Sequence, residues 1–392
     1  MAHSVKLAPC QIDYLNLVRA LAAQIVLVGH STAYFLAGHD RGGRWETSGV
    51  LVFFLLSGFL IALSVQQKRD RTEYRFGHYL IDRFVRIFSG YLPALIMVAI
   101  VDSLMRDLPG YPYAASSTPL QWVGNLVMLQ EYPVFQILRR LGMADQSWFI
   151  EAFGSGRPFW TVAIEWWIYL FFGYLAFFVA RRKRLSGRDI LVLAAVGIVP
   201  VYNAMGGVGQ CLSFVWMIGA GAAWVQDRLM RQGGPQALPG RRRWTLGLAG
   251  LVLLSAVLMA GRLLATDGRI YDLQFAFFAA GVLFGIFFLL GMAPVAVPRL
   301  VSRAIDRIAD YSYSLYLIHY TVLIWFVVHR PSADRYDVAT FVEIFLIANG
   351  TAWIFWFLFE RHYHRLAGAA KQLLDRRRVT RILSPGNVNE HG

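Results

Sequence analysis

The chain has 392 residues, of which 57% are hydrophobic and only 16% are charged, and its formal net charge is +14. Soluble domains carry about 25% charged residues, so the composition excludes an ordinary soluble protein and predicts an integral membrane protein. Its two cysteines are expected on opposite sides of the membrane and no zinc or haem spacing is present, so we expect neither a disulfide nor a metal site.

Windows of about 20 apolar residues predict an all-α bundle of about ten transmembrane helices. The first apolar run lacks a convincing cleavage site, so we interpret it as a retained span rather than a signal peptide. An even number of spans would place both termini on one side of the membrane. The expected spans are 14–36, 48–66, 85–106, 158–180, 189–205, 208–226, 244–262, 272–291, 311–330 and 338–359.

Two segments lie outside these spans and are long enough to matter. Residues 107–157, hereafter the outer loop, are rich in Pro, Gly and aromatic residues. We expect a short helix near 119–130 and a role as a lid or binding surface, with an idle linker as the alternative. After a transmembrane domain assigned to 1–367, the basic tail 368–392 is expected to be disordered.

The positive charge is distributed unevenly along the chain. Of the 38 Lys and Arg residues, 27 fall in segments on the side of the N-terminus and ten on the opposite side, while Arg19 lies in the membrane. Cytoplasmic segments of membrane proteins carry such an excess, so we expect both termini in the cytoplasm. The charge then orients the protein and does not require a nucleic-acid partner.

The stretch "RALAAQIVLVGH" puts Arg19 and His30 inside the first span. Eleven residues at 100° each come within about 20° of three full turns, so both side chains share one helix face, about 16 Å apart. Arg19 lies near the cytoplasmic end, with Asn16 one turn before it. Ionisable groups at this depth usually mark a function; the alternative is a snorkelling arginine and a packing histidine.

The fourth span carries Glu165 about 10 Å from its outer end, close to the depth expected for His30. A carboxylate at that depth would orient an imidazole or stabilise its protonated form. Thr161 and Tyr169 lie on the same face of the helix, at i−4 and i+4. The alternative is a structural hydrogen bond between helices.

Polar residues also interrupt the second and third spans. Ser57 is followed by a glycine in an aromatic setting, and nothing like a nucleophile elbow surrounds it. Arg83 and Arg86 stand one turn apart at the start of the third span, as a phosphate-rich cytosolic ligand would need. Charges that only set the topology are the alternative.

The ninth span places His319 near the midplane of the membrane. Ser312 and Tyr316 lie on its face, at i−7 and i−3. A packing role and a catalytic role are both open for this histidine. Glu360 and Arg361, at the cytoplasmic end of the last span, are assigned a structural role.

Six stretches together resemble the membrane acyltransferase-3 family over about residues 12 to 367. In order they are "RALAAQIVLVGH", "FFLLSGFLI", "DRFVRI", "FWTVAIEWWIYL", "YSYSLYLIH" and "FERHYHRL". The family often has Asp where this chain has Asn16, and Pro where it has Ser89. The resemblance implies a stand-alone membrane O-acyltransferase, in the bacterial cytoplasmic (inner) membrane, that moves an acyl group from cytosolic acyl-CoA to an outer-side hydroxyl.

The resemblance also implies roles for individual residues. His30 would be the general base, held by Glu165, and the arginines Arg19, Arg83 and Arg86 would engage the acyl-CoA co-substrate, with no other cofactor bound. The acceptor would be a glycan or another hydroxyl compound, and the acyl group acetyl by default. The supporting residues would be Asn16, Ser57, Trp160, Thr161, Tyr169, Ser312, Tyr316 and His319.

Two other classes of protein use buried charges in a lipid bilayer. A transporter or flippase for a glycan or lipid-linked substrate would line its pathway with them. It would show two halves with matching broken helices, and the sequence has no such internal symmetry. A structural or sensory membrane protein without turnover is the third interpretation. Labelled acyl transfer that depends on His30 would separate the enzyme from both.

Overall fold

The computed structural model describes residues 7–36, 46–68, 73–130, 132–143, 148–182, 184–205, 211–265, 272–330 and 337–383. Every regular element within these ranges is helical, which confirms the predicted all-α class. The α-helices are α1 Pro9–Phe35, α2 Glu46–Lys68, α3 Phe76–Met105, α4 Pro119–Leu126, α5 Pro133–Arg140, α6 Phe159–Phe177, α7 Gly187–Ala204, α8 Leu212–Arg231, α9 Arg241–Ala265, α10 Leu273–Met292, α11 Arg299–Asp310, α12 Ser312–His329, α13 Val338–Phe355 and α14 Tyr363–Leu383.

Nine helices in the described ranges are long and apolar enough to cross a membrane. They are α1, α2, α3, α6, α7, α9, α10, α12 and the continuous stretch that α13 begins, and they match nine of the ten predicted spans. The remaining predicted span, 208–226, corresponds to α8, whose polar last turns and small residues lower its mean hydropathy. With nine such helices the even-number argument for the termini no longer applies, so their side stays a prediction.

Helix α8 is nevertheless part of the core, because it packs in close contact with α2. A Cβ on Gly58 would lie 1.9 Å from the carbonyl oxygen of Trp216, and one on Gly219 would lie 2.1 Å from that of Leu55. Only residues without a side chain allow two backbones to approach this closely. The indole Nε1 of Trp216 then donates to Ser57 Oγ at 3.1 Å, which fixes the Ser57 side chain.

The outer loop is fastened to the bundle by buried polar side chains, and α4 supplies the helix expected near 119–130. Asn125 is fully buried, donates to the carbonyl of Glu151 at 2.7 Å and accepts from the Phe153 amide at 3.1 Å. Asp102 of α3 accepts from both the amide (2.8 Å) and the hydroxyl (2.6 Å) of Ser155. The described part of the loop is therefore an ordered cover at one end of the bundle.

The C-terminal tail differs from the prediction. Residues 368–383, expected to be disordered, continue α14, while 384–392 lie outside the described residues. Lys371 forms an ion pair with Asp82 at 2.7 Å, and His78 Nε2 donates a hydrogen bond to Asp375 at 3.0 Å. The sequence consists largely of good helix formers, and these pairs dock it on α3. Charge content alone suggested disorder because it did not reveal the docking partners.

Candidate active site

A cavity of about 170 Å³, hereafter the basic cavity, collects charged side chains from three helices. Arg19 comes from α1, Arg83 and Arg86 from α3, and Glu165 from α6. The structure brings together nine of the thirteen residues that the sequence analysis singled out. Those lining this cavity are Arg19, Ser57, Arg83, Arg86, Thr161, Glu165, Tyr169, Ser312 and Tyr316.

Arg86 differs from the other two arginines because its charge is balanced inside the protein. Its guanidinium pairs with the carboxylate of Glu360, which is 1% exposed. The second carboxylate oxygen accepts from Ser314 Oγ at 2.6 Å. The guanidinium also lies over the rings of Tyr313 and Tyr363, at 5.1 and 4.8 Å. A turn of π-helix, Trp356–Glu360, carries the carboxylate into this position.

Arg19 and Arg83 retain unused hydrogen-bond donors. The Nε atom of each is buried and has no hydrogen-bond partner among the described residues. Arg19 makes one long contact, 3.5 Å, to Asn16 Oδ1, while the Asn16 amide donates to Asp306 at 2.9 Å. Arg83 lies 6.0 Å from the centre of the Tyr79 ring. Buried donors without partners are costly, so these two guanidiniums are suited to an anionic or polar ligand.

Glu165 ends a chain of hydrogen bonds in the same cavity. The Trp216 indole donates to Ser57 Oγ, Ser57 lies 2.9 Å from the Tyr169 hydroxyl, and Tyr169 donates to Glu165. Since the Tyr169 proton points to the carboxylate, Ser57 must donate to Tyr169. The Ser57 hydroxyl is thus held between two partners and none of its contacts is a base, which agrees with the absence of a nucleophile elbow.

A second cavity of about 170 Å³, hereafter the histidine cavity, contains His30. Glu46 at the start of α2 lines it, as do Trp160 of α6 and Tyr320 of α12. Arg157 reaches it from the end of the outer loop, where its guanidinium lies 3.8 Å from a carboxylate oxygen of Glu151. Of the predicted residues, His30, Trp160 and Tyr316 line this cavity, whereas Asn16 and His319 line neither.

The partner of His30 is another histidine. His30 Nδ1 lies 3.2 Å from His319 Nε2 and 3.1 Å from the carbonyl oxygen of Val26. The structure does not bring Glu165, the partner predicted for His30, into contact with it: among the described contacts Glu165 accepts from Tyr169 and lines the other cavity. The depth of Glu165 in the membrane could be estimated from the sequence, but the direction in which its helix face points could not. Helix α1 packs along α2 and α12, whereas α6 packs along α3 and α7.

The two cavities adjoin each other, since Tyr316 and Val50 line both. The Thr161 hydroxyl donates to the carbonyl of Pro158 at 2.9 Å. The Tyr316 hydroxyl lies 2.6 Å from Thr161 Oγ1 and must therefore be the donor in that contact. This hydrogen bond ties α12 to α6 at the partition. A group that passes from one cavity to the other must pass these side chains.

Four residues around the histidine cavity were not predicted from the sequence: Glu46, Tyr113, Arg157 and Tyr320. The Tyr320 hydroxyl contacts that of Tyr34 at 2.6 Å and that of Tyr113 at 2.7 Å, so the outer loop touches this end of α1 and α12. Tyr320 could have been predicted as a site residue, because it directly follows His319 in the sequence. Glu46 and Arg157 precede the second and fourth predicted spans, where charged residues are common and carry little information.

The apolar helices enclose guanidinium, carboxylate and imidazole groups, which defines an integral membrane protein with a polar interior. The chain belongs to the acyltransferase-3 family, because residues 12–360 match the family model described as an acyltransferase domain. The protein is therefore an integral membrane member of this family.

One curated relative matches part of the chain. Nodulation protein 10 of Rhizobium leguminosarum bv. viciae is 24% identical over 188 residues, which are 46% of this chain and 48% of that protein. The match thus spans about half the length of the relative, so the acceptor and donor of this chain do not follow from it. No solved structure matches the chain.

Proposed function

We propose that the protein transfers an acyl group, acetyl by default, from acyl-CoA to a hydroxyl of a glycan or another acceptor. One observation carries this proposal. The cavity lined by three arginines and the cavity lined by His30 adjoin at Tyr316. Such a layout lets a polyanionic donor and a neutral hydroxyl acceptor approach the same point from different sides.

The donor occupies the basic cavity in this proposal. Guanidinium groups recognise phosphates through paired hydrogen bonds, and the buried Nε atoms of Arg19 and Arg83 have donors to offer. At about 170 Å³ the cavity is smaller than typical pockets for whole drug-sized ligands, roughly 300 Å³ and more. It therefore takes the acyl-pantetheine end, and the phosphates stay at its mouth.

Chemistry takes place where the acyl group meets His30. The neutral imidazole accepts the proton of the acceptor hydroxyl while the oxygen attacks the thioester carbonyl. The carbon–sulfur bond then breaks, and the CoA thiolate leaves and takes up a proton. A positioned general base contributes about 10²- to 10⁴-fold. Glu165, through Tyr169 and Ser57, keeps the wall of the basic cavity in place.

The two substrates reach the protein from opposite sides. The excess of basic residues in the segments on the N-terminal side supports a cytoplasmic mouth for the basic cavity. Arg157 and the neighbouring outer loop border the histidine cavity, which supports access from the other side. We place the protein in a bacterial cytoplasmic (inner) membrane on these grounds, with acyl-CoA as co-substrate and no further cofactor.

Transfer of label from radiolabelled acetyl-CoA to candidate glycans by the purified protein tests the proposal. His30→Gln should abolish the transfer, whereas His329→Gln should not. His329 is an exposed histidine stacked on Trp325 in the same bundle, and it lines neither cavity. Transfer at the wild-type rate by His30→Gln would contradict the mechanism. Movement of an unlabelled acceptor across the membrane would instead indicate a transporter.

A further inference from the structure

The two ring nitrogens of His319 have contacts that leave only one neutral form. Nδ1 lies 3.0 Å from the carbonyl oxygen of Leu315 and 2.9 Å from that of Tyr316. A carbonyl oxygen only accepts hydrogen bonds, so Nδ1 must carry the proton. A neutral imidazole has one N–H, and Nε2 of His319 therefore presents a lone pair.

That lone pair determines the form of His30 in turn. His30 Nδ1 lies 3.2 Å from His319 Nε2 and 3.1 Å from the Val26 carbonyl, and both of these neighbours are acceptors. The Nδ1 atom of His30 must then carry the proton of the neutral ring. Its lone pair resides on Nε2, for which the described residues offer no hydrogen-bond partner. This nitrogen is the one left to accept a proton from a substrate.

We infer that His319 is a positioning residue, which acts with the Val26 carbonyl to select the proton-accepting form of His30 and to fix the direction of its ring. The inference rests on the proposed role of His30 as general base. When His30 takes the acceptor's proton, the ring becomes positively charged and its Nδ1–H donates more strongly to His319 Nε2. A neutral acceptor thus does here what a carboxylate does in the serine–histidine–aspartate triad.

Burial makes this arrangement rigid. His319 is 1% exposed and is held to the backbone of its own helix, one turn before it. The carbonyl of Tyr316, whose side chain separates the two cavities, is one of its two anchors. A packing role alone would explain the burial of His319, but it would not require an acceptor atom facing His30.

Two substitutions of similar size separate the acceptor role from packing. The amide of His319→Asn reaches only as far as the Nδ1 position, so it keeps the donor to the helix backbone and loses the acceptor toward His30. The amide oxygen of His319→Gln reaches the Nε2 position and can accept from His30 Nδ1–H. If only packing matters, both variants should behave alike.

The test measures kcat and the KM for acetyl-CoA for the purified full chain, with both variants and with His30→Gln. We expect kcat of His319→Asn to fall about 10- to 100-fold, and that of His319→Gln to stay within about tenfold of wild type. The KM for acetyl-CoA should remain unchanged in both, because the donor contacts lie in the basic cavity. A wild-type kcat in His319→Asn, or equal losses in the two variants, would overturn the inference.

The same data distinguish failure of this inference from failure of the proposed function. If His30→Gln is inactive while His319→Asn is fully active, His30 remains the base and His319 is only packing. If His30→Gln itself transfers acyl groups at the wild-type rate, the proposed base is wrong. Should His319→Asn fail to fold, the comparison of His319→Gln with wild type and with His319→Ala provides the same readout: a low kcat in both would overturn the inference.

Discussion

The basic cavity and the histidine cavity have about the same volume, but their key nitrogen atoms differ in hydrogen bonding. In the basic cavity, buried donors of Arg19 and Arg83 have no hydrogen-bond partner among the described residues. His30 lines the histidine cavity, and three of the four ring nitrogens of His30 and its partner His319 have hydrogen-bond partners among the described residues. In the proposed function, the first cavity receives the donor, and the second holds one nitrogen of His30 available as the base.

We therefore expect the basic cavity to bind the donor and the histidine cavity to supply the general base. Unsatisfied guanidinium donors gain most from an anionic ligand and have little need of a fixed geometry. A general base needs the reverse, a small number of contacts that determine where its lone pair points. Substitutions in the two cavities should therefore have different kinetic signatures.

The largest effect is expected where a charge in the basic cavity is already neutralised. Arg86→Gln leaves Glu360 buried without its partner, which costs about 3–5 kcal/mol. We expect a much lower apparent melting temperature in detergent and little folded protein. The double variant Arg86→Gln with Glu360→Gln should recover much of the loss. Equal stability of wild type and Arg86→Gln would show that the pairing of Arg86 with Glu360 does not stabilise the fold.

Smaller effects, confined to donor binding, are expected for Arg19 and Arg83. Their replacement by Gln removes a phosphate-binding donor, and we expect the KM for acetyl-CoA to rise about 10- to 100-fold, equivalent to about 1.4–2.8 kcal/mol. Lysine should be a poor substitute if the contact is bidentate. Arg228→Gln, which removes an arginine stacked on Trp224, is the control. An unchanged KM in both site variants would reduce these arginines to topology signals.

The pH dependence of kcat tests which carboxylate, Glu46 or Glu165, interacts with His30. A general base must be neutral, so kcat should fall as the pH decreases through the titration of His30. A nearby carboxylate stabilises the protonated ring. Glu46→Gln, in the histidine cavity, should move the acid limb to lower pH.

Glu165→Gln is the matched comparison for that experiment, because the same charge is removed from the other cavity. The contact of Glu165 with Tyr169 predicts that the acid limb stays where it is. A shift with Glu165→Gln and none with Glu46→Gln would restore the pairing expected from the sequence. Full pH profiles of kcat for the two variants and wild type decide between these outcomes.

The smallest effect is expected far from both cavities, at the docked tail. Lys371→Ala removes the ion pair with Asp82, which retains Lys68 at 3.7 Å and the Tyr74 hydroxyl at 3.1 Å. Partly exposed pairs of this kind contribute at most about 1 kcal/mol. We expect a small, salt-dependent decrease in the melting temperature and unchanged transfer kinetics. A loss of activity would indicate that α14 acts on the basic cavity.

Much of the fold and of the basic cavity could be predicted from the sequence. Hydropathy located nine of the spans, because length and apolar content are local properties of a helix. Charged and hydroxyl residues within those spans proved to share one cavity, because a polar side chain in an apolar helix must face the protein interior.

The partners of those side chains could not be predicted. The depth of Glu165 followed from the rise of a helix, but its direction depends on which helices pack together. Likewise, nothing local indicated that Glu360 would reach Arg86, since a π-turn redirects the chain there. The polar contacts that hold α14 on α3 join residues almost 300 positions apart, beyond the reach of local patterns.

The most direct test of the division between the two cavities is a transfer assay in which acetyl-CoA is raised to saturation for Arg83→Gln and His30→Gln. The account predicts that Arg83→Gln approaches the wild-type maximal rate once the donor is in excess. His30→Gln should remain inactive at every donor concentration while it still binds CoA. Recovery of His30→Gln at high acetyl-CoA, or a low maximal rate with an unchanged KM in Arg83→Gln, would contradict the account.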